Sequence, residues 1–327
     1  MFIGRTNRET SMSLTMQVEP GQRLISAERL VPFALLLLLG AVDAVWAASI
    51  HVRFIGVELN LYFTLILLAV GIFYHSFRKD RRLFEISYYA ALWSLMMAVA
   101  PPLTYLCATF NFRLYDDDLV MLDKMLGFDW PNYYKFFTND KTIAAIFLAI
   151  YFSMLLQLFF SVIYFSHVRK YHRNSELFWV AFISLVITSL LSGIFPATGA
   201  LHYYNTGLNH AVHLHDYAAL RSGSISEFVL RDMQGIITFP SFHTAAAVML
   251  AYAYRGTRMF IPVFCLNVLM LLATPVFGGH YLVDLLGGAG VALVSIPITY
   301  YLRAFLREGL PTPAQSSGSR TQVSDIF

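Results

Sequence analysis

A chain of 327 residues that is 57% hydrophobic and 13% charged, with a mean hydropathy of +0.58, lies far outside the range of water-soluble globular proteins. Its formal charge of +3 excludes the strongly basic surface of a nucleic-acid-binding protein. The expectation is an integral membrane protein of all-α class, because the apolar runs lack period-2 alternation and a bilayer demands backbone hydrogen bonds satisfied within each segment.

In chain order, a polar segment over 1–29 precedes apolar runs at 30–50, 57–76, 84–108, 142–166, 176–195, 241–254, 259–277 and 281–302. Most are long enough to cross about 30 Å of hydrocarbon as helices, and the sixth is short. They predict a bundle of about eight transmembrane helices. The first run resembles a secretory signal, but its long polar leader and Asp43 within the apolar stretch favour an uncleaved anchor. Cys107 and Cys265 fall inside membrane runs, where buried thiols are expected.

Basic residues set the orientation. Arg78, Lys79, Arg81 and Arg82 follow the second run, Arg169, Lys170 and Arg173 the fourth, Arg255 and Arg258 the sixth, and Arg303 and Arg307 the eighth. By the positive-inside rule these ends are cytoplasmic, together with an N-terminus carrying Arg5, Arg8, Arg23 and Arg29. An even number of crossings puts both termini inside. The resulting organisation is a cytoplasmic segment at 1–29, N-terminal transmembrane helices at 30–108, an extracytoplasmic interfacial loop at 109–141, a second transmembrane bundle at 142–307, and a cytoplasmic tail at 308–327. Pro311, Pro313 and the run from Gln315 to Ser319 give that tail a disordered composition.

Two extracytoplasmic loops exceed what a connector needs. In the first, Asp116, Asp117 and Asp118 precede Leu119, Leu122 and Leu126, which predicts an interfacial amphipathic helix with Trp130, Tyr133 and Tyr134 in the headgroup belt. The three carboxylates could instead hold a divalent cation, although successive helical residues diverge in direction. The second loop, Pro196 to Thr238, carries His202, His210, His213 and His215 beside Asp216. These are open to two interpretations, a zinc site or interfacial histidines bonded to headgroups. Gly287, Gly288 and Gly290 fall in the last run, where small residues permit close helix packing.

The chemistry concentrates in two short segments, Phe239-Pro240-Ser241-Phe242-His243-Thr244 and Gly278-Gly279-His280-Tyr281-Leu282-Val283-Asp284. Each sets a histidine at the mouth of an apolar run, on the extracytoplasmic face. Pro240 suits a first helical turn, whose free N–H groups favour an anion. His280 and Asp284, four residues apart, share one helix face, so the carboxylate can orient one imidazole nitrogen and leave the other as a nucleophile. His243 could protonate a leaving alcohol while Ser241 reaches a phosphoryl oxygen. The competing interpretation is a structural His280–Asp284 ion pair. Against it, a carboxylate one turn inside an apolar helix is costly and usually functional.

These segments resemble the second and third signature motifs of the type 2 phosphatidic acid phosphatase superfamily, Pro-Ser-x-His followed by His-x-x-x-Asp at the start of a later membrane helix. The resemblance runs over the C-terminal third, from Pro196 to the final helix. His280-Tyr281 with Asp284-Leu285 is most similar to the branch holding inositol phosphorylceramide and sphingomyelin synthases, and Leu126-Gly127-Phe128-Asp129-Trp130 is similar to bacterial members. The resemblance implies that His280 attacks phosphorus, Asp284 orients it, His243 protonates the departing lipid alcohol, and a phosphohistidine forms without metal or cofactor. It also implies phospholipid or sphingolipid substrates and a bacterial inner membrane with the site facing the periplasm. A lipid phosphate or isoprenoid pyrophosphate phosphatase and a non-catalytic transporter or scaffold are the rival expectations.

Two family cations are missing. Phe195-Pro196-Ala197-Thr198-Gly199 stands near the place of Lys-x6-Arg-Pro, and Thr274 replaces the arginine six residues before the nucleophile. Arg221 and Arg231 are the nearest candidates to bind phosphate instead. A weaker cationic cradle suits a phosphodiester better than a dianionic monoester.

Overall fold

A computed structural model describes residues 27–206, 212–233 and 235–308. The expectations for Arg5, Arg8, Arg23, His210, the His213 side chain and the tail beyond Glu308 fall outside the described residues. Among the described residues the fold is all-α apart from one pair of short strands. Its helices are α1 (Ala27–Ser49), α2 (Val57–Phe73), α3 (Arg81–Ala108), α4 (Asp116–Met125), α5 (Trp130–Thr138), α6 (Lys141–His167), α7 (Tyr171–Ile194), α8 (Ala200–Tyr203), α9 (Val212–Ser222), α10 (Phe242–Ala253), α11 (Phe260–Phe277) and α12 (Leu282–Glu308). Aspartates set several starts. Asp80 accepts from the N–H groups of Arg82 and Leu83 before α3, and Asp140 from those of Thr142 and Ile143 before α6, satisfying donors that the first helical turn leaves free.

Among the described residues seven helices are long and apolar enough to cross a membrane: α1, α2 with its terminal π-turn, α3, α6, α7, α11 and α12. The eighth expected crossing is the exception. Run 241–254 forms α10, whose twelve residues extend only about 18 Å, well short of the about 30 Å of hydrocarbon. It is packed against α7, α11 and α12, so neighbouring helices and not lipid satisfy its flanks. α3 is the pillar of the bundle. Leu92, Trp93 and Met96 meet Phe178 and Trp179 of α7 in a core that also takes Leu250 of α10 and Tyr254 just after it. Cys107 is buried, but Cys265 is exposed on the outward face of α11, contrary to the expectation of two buried thiols.

The basic ends converge on one side. Glu176 of α7 binds Arg173 at 2.9 Å and Arg255, beyond α10, at 2.7 Å. Glu28 meets Arg303 and Arg307 of α12 at 3.4 and 3.2 Å, and Glu85 holds Arg29 at 2.6 Å. At the other end, the expected interfacial segment divides into α4 and α5, and the 196–238 loop folds over α3. Strand β1 (Arg53–Ile55) pairs in parallel with β2 (Glu227–Val229), tying the N-terminal helices to that loop.

The glycines of α12 set how closely it meets α10. A Cβ on Gly288 would overlap the Ser241 carbonyl and stand 3.0 Å from Thr244 Cβ, and one on Gly287 would stand 2.9 Å from the Phe239 ring. Gly290 has open space and takes no part in the close approach that the sequence assigned to all three. Gly288→Ala should therefore cost about 1–3 kcal/mol by overpacking, while Gly290→Ala should be neutral or stabilising by up to about 1 kcal/mol. Thermal unfolding of the two variants in detergent checks this, and equal melting temperatures would mean that the helices can part without strain.

Candidate active site

The close approach of α10 and α12 is sealed by backbone: Ser241 N–H donates to the Asp284 carbonyl at 2.9 Å. Pro240 lies before the helix and not in its first turn. Ser241 is the N-cap of α10, its hydroxyl accepting from Thr244 N–H at 3.4 Å. His280 likewise precedes its helix by two residues, so its pairing with Asp284 arises in the turn entering α12 and not on a shared helix face.

His280 Nδ1 stands 3.2 Å from Asp284 Oδ2, which also accepts Tyr281 N–H at 2.8 Å. A carboxylate there assigns the proton to Nδ1 and leaves the lone pair on Nε2. That Nε2 lies 3.4 Å from Ser241 Oγ. Ser241, His280 and Asp284 thus form one relay at the starts of α10 and α12, and they are only 0%, 3% and 0% exposed, so these helix mouths lie well inside the protein. Buried in this way, the pair interacts far more strongly than it would in water.

His243, second residue of α10, is half-buried and lies flat against Tyr151 of α6, ring centroids 4.1 Å apart and planes inclined by 17°. The Tyr151 hydroxyl is 3.3 Å from His243 Nδ1, which leaves Nε2 to other partners. A Cβ placed on Gly278 would sit 2.9 Å from that hydroxyl and 2.6 Å from His280 Cδ2. The tyrosine therefore stands beside both imidazoles. Nothing in the sequence marked it, since it is one of many aromatics in an apolar run.

The acidic segment braces this site from above. Asp116 accepts from Thr198 N–H and Oγ1, from Gly199 N–H, and from the Tyr281 hydroxyl at 2.8 Å. Asp123 accepts from the Leu282 and Val283 N–H groups, both at 2.9 Å, and so fills the positive N-terminus of α12 with a carboxylate. Burial pushes the Asp123 carboxyl above its ordinary pKa, opposed by those two N–H groups. Trp130 is 1% exposed, stacked between Tyr134 and Tyr204, with its indole N–H shared by the carbonyls of Pro275 and His280 at 3.1 Å. It is a roof over the catalytic-type loop and not the headgroup-belt residue expected. The cation-free 195–199 stretch lies against the same loop: Ala200 N–H donates to Gly279 O at 2.7 Å, and with Gly199 at φ +93° a Cβ there would come within 2.9 Å of that oxygen.

The candidate phosphate-binding arginines are engaged elsewhere. Arg221 donates to Phe112 O at 2.7 Å and lies over Tyr217, and Arg231, exposed, pairs with Asp232 at 3.5 Å. Neither has a hydrogen bond to Ser241, His243, His280 or Asp284 among the described residues. His202 and His215 are exposed. Among the described residues no three His, Cys, Asp or Glu side chains are grouped to share a metal ion, and Asp117 and Asp118 bind Tyr203 and Arg113 instead.

A family model described as the PAP2 superfamily matches residues 117–298, more than half of the chain. The match begins in α4, one residue after Asp116, so it takes in Asp123 and Tyr151 and extends well upstream of Pro196, where the sequence resemblance started. No curated protein and no solved structure gives a match. With Ser241, His243, His280 and Asp284 all inside the matched span, the chain belongs to the PAP2 superfamily, whose members are phosphatases and phosphotransferases acting on lipid phosphates.

Proposed function

We propose that this membrane enzyme transfers a phosphorylated headgroup from one lipid to another through a phosphohistidine at His280. The relay from Asp284 through His280 Nδ1 to a free Nε2 carries this reading. Nε2 forms an N–P bond as the P–O bond to the lipid alcohol breaks, and His243 gives its proton to the departing oxygen. An acceptor hydroxyl then attacks phosphorus, the N–P bond breaks, and the acceptor's proton passes to His243. Ser241, whose hydroxyl faces Nε2 in the resting site, turns to a phosphoryl oxygen as the N–P bond forms.

The charge around the relay favours a phosphodiester donor, which carries one negative charge. Asp284, Asp116 and Asp123 surround the loop, and no lysine or arginine is hydrogen-bonded to it among the described residues. A dianionic monoester would be repelled more strongly. The similarity of His280 to Leu285 to inositol phosphorylceramide and sphingomyelin synthases supports a sphingolipid or glycerolipid acceptor.

The deciding experiment offers purified protein labelled phospholipids in mixed micelles, with and without ceramide or diacylglycerol. Product that requires the acceptor, and falls more than about 10³-fold in His280→Ala, is expected. Inorganic phosphate released from a monoester without acceptor would make the enzyme a phosphatase, and equal turnover by both proteins would remove His280 from the chemistry.

His243→Ala should slow turnover by about 10²–10⁴-fold, yet with a donor whose leaving group needs no protonation it should accumulate the phosphorylated headgroup on the peptide carrying His280. Mass spectrometry after alkaline quench reads this directly. An unmodified peptide under burst conditions would argue for direct transfer with no covalent intermediate.

The convergence of Arg29, Arg173, Arg255, Arg303 and Arg307 at the end opposite the relay supports a site facing the periplasm of a bacterial inner membrane. Met125, at the end of α4, is 76% exposed. In a Cys265→Ser background, Met125→Cys should react with a membrane-impermeant maleimide in intact spheroplasts. Labelling only after lysis would reverse the orientation.

A further inference from the structure

The N-terminal helices, outside the span matched by the family, enclose a second cavity. Its volume is about 770 Å³, and its walls are α1, α3 and the chain entering α2, chiefly Gly40, Asp43, Ala47, Ala98, Val99 and Pro102. That size is in the range of small-molecule and lipid-headgroup sites, roughly 300–1,000 Å³. Small side chains make the room. One turn below Asp43, a Cβ on Gly40 would stand 3.0 Å from Val99, so α1 and α3 touch there and close the floor.

Asp43 lines this cavity, is 4% exposed, and has no hydrogen-bond partner for either carboxylate oxygen among the described residues. It lies about 9 Å, six residues, below the end of α1 at Ser49. An acceptor buried at that depth without a donor is costly, and ionisable groups kept inside membrane helices are usually functional. The one arginine at the cavity, Arg53, is paired with Glu227 and cannot neutralise it from the mouth. Beside Asp43 the wall opens at Ala44 and Ala48, both exposed on the outward side of α1, where bilayer chains run.

We propose that this cavity binds a neutral lipid alcohol, entering laterally between α1 and α3 with its free hydroxyl donating to Asp43 and its chains leaving past Ala44 and Ala48. A hydroxyl fits where an ammonium does not, because a cation would lose its hydration about 9 Å below the end of α1. The assignment is independent of the chemistry at His280, and its test measures binding alone.

Full-length protein in phosphatidylcholine nanodiscs is titrated with 1,2-dioctanoylglycerol, its 3-O-methyl ether and octadecylamine, and bound ligand is counted by native mass spectrometry. One equivalent of the alcohol per chain should depend on Asp43, over and above any acceptor held beside His280, with the ether, which lacks the donor, weaker there by roughly tenfold or more. Asp43→Ala should abolish that equivalent. Ala47→Trp, which fills the cavity and leaves the carboxylate in place, should abolish it too. If Asp43→Ala fails to fold, Asp43→Leu, close in size and without an acceptor, takes its place. An alcohol stoichiometry unchanged by both cavity variants, equal losses of alcohol and ether on removing the carboxylate, tightest binding of octadecylamine, or no saturable binding would each overturn the proposal.

Discussion

The hydrogen bond from Ser241 N–H to the Asp284 carbonyl is the contact on which the candidate site depends. It needs two helix starts at nearly the same height and a separation that no side chain on residue 288 permits. Once made, it leaves little freedom to the side chains: the cap of α10 must face the histidine that precedes α12. The shortness of α10 follows from the same geometry. A helix that begins level with Asp284 and ends where Arg255 can reach Glu176 has room for only about three turns. The nucleophile-bearing loop is thereby sunk below the ends of the longer helices.

Carboxylates do unusual work around this loop. Asp116 and Asp123 are satisfied by backbone N–H and hydroxyl donors, and Asp284 Oδ2 by Tyr281 N–H and His280, all without an arginine or lysine partner among the described residues. A backbone donor is fixed by the fold, so a carboxylate bound to it positions chain segments far more tightly than a flexible cation would. Asp116 joins the 198–199 turn to Tyr281, and Asp123 joins α4 to the first turn of α12. The cation-free 195–199 stretch is thereby part of a brace that keeps the loop around His280 in place.

Most of the bundle was legible in the sequence because membrane helices declare themselves by length and apolarity, and seven runs fall within a few residues of the helices observed. The pairing of His280 with Asp284 was legible from their spacing, whereas the approach of Ser241 to His280 across 39 residues was not. The rest required tertiary information. Three adjacent aspartates look equivalent on paper, yet only Asp116 turns inward; Asp117 and Asp118 face Tyr203 and Arg113. Trp130 follows the composition rule for an interfacial aromatic, but two carbonyls at the end of α11 and in the loop beyond it draw its N–H inward. Tyr151 sits in a run whose hydrophobicity hides it, and only the stacking on His243 reveals it. The local pattern decides where helices lie, and the loops between them decide which polar groups meet.

Burial of the relay bears on which acceptor the proposed phosphohistidine would meet. His280 is 3% exposed beneath the stack of Tyr134, Trp130 and Tyr204, so bulk water has poor access to it from the aqueous side. His243 is the more open of the two imidazoles and stands on the α6 side, with Tyr151 behind it. α6 presents most of its other residues outward, where the bilayer lies. A hydroxyl arriving within the membrane along that side would meet His243 first, while a water molecule would have to pass the aromatic roof. Hydrolysis needs only water at phosphorus, and transfer needs water kept away until an acceptor is bound. A buried relay flanked by an aromatic roof and a lipid-facing helix suits the second requirement, and in this it accords with the proposed transfer.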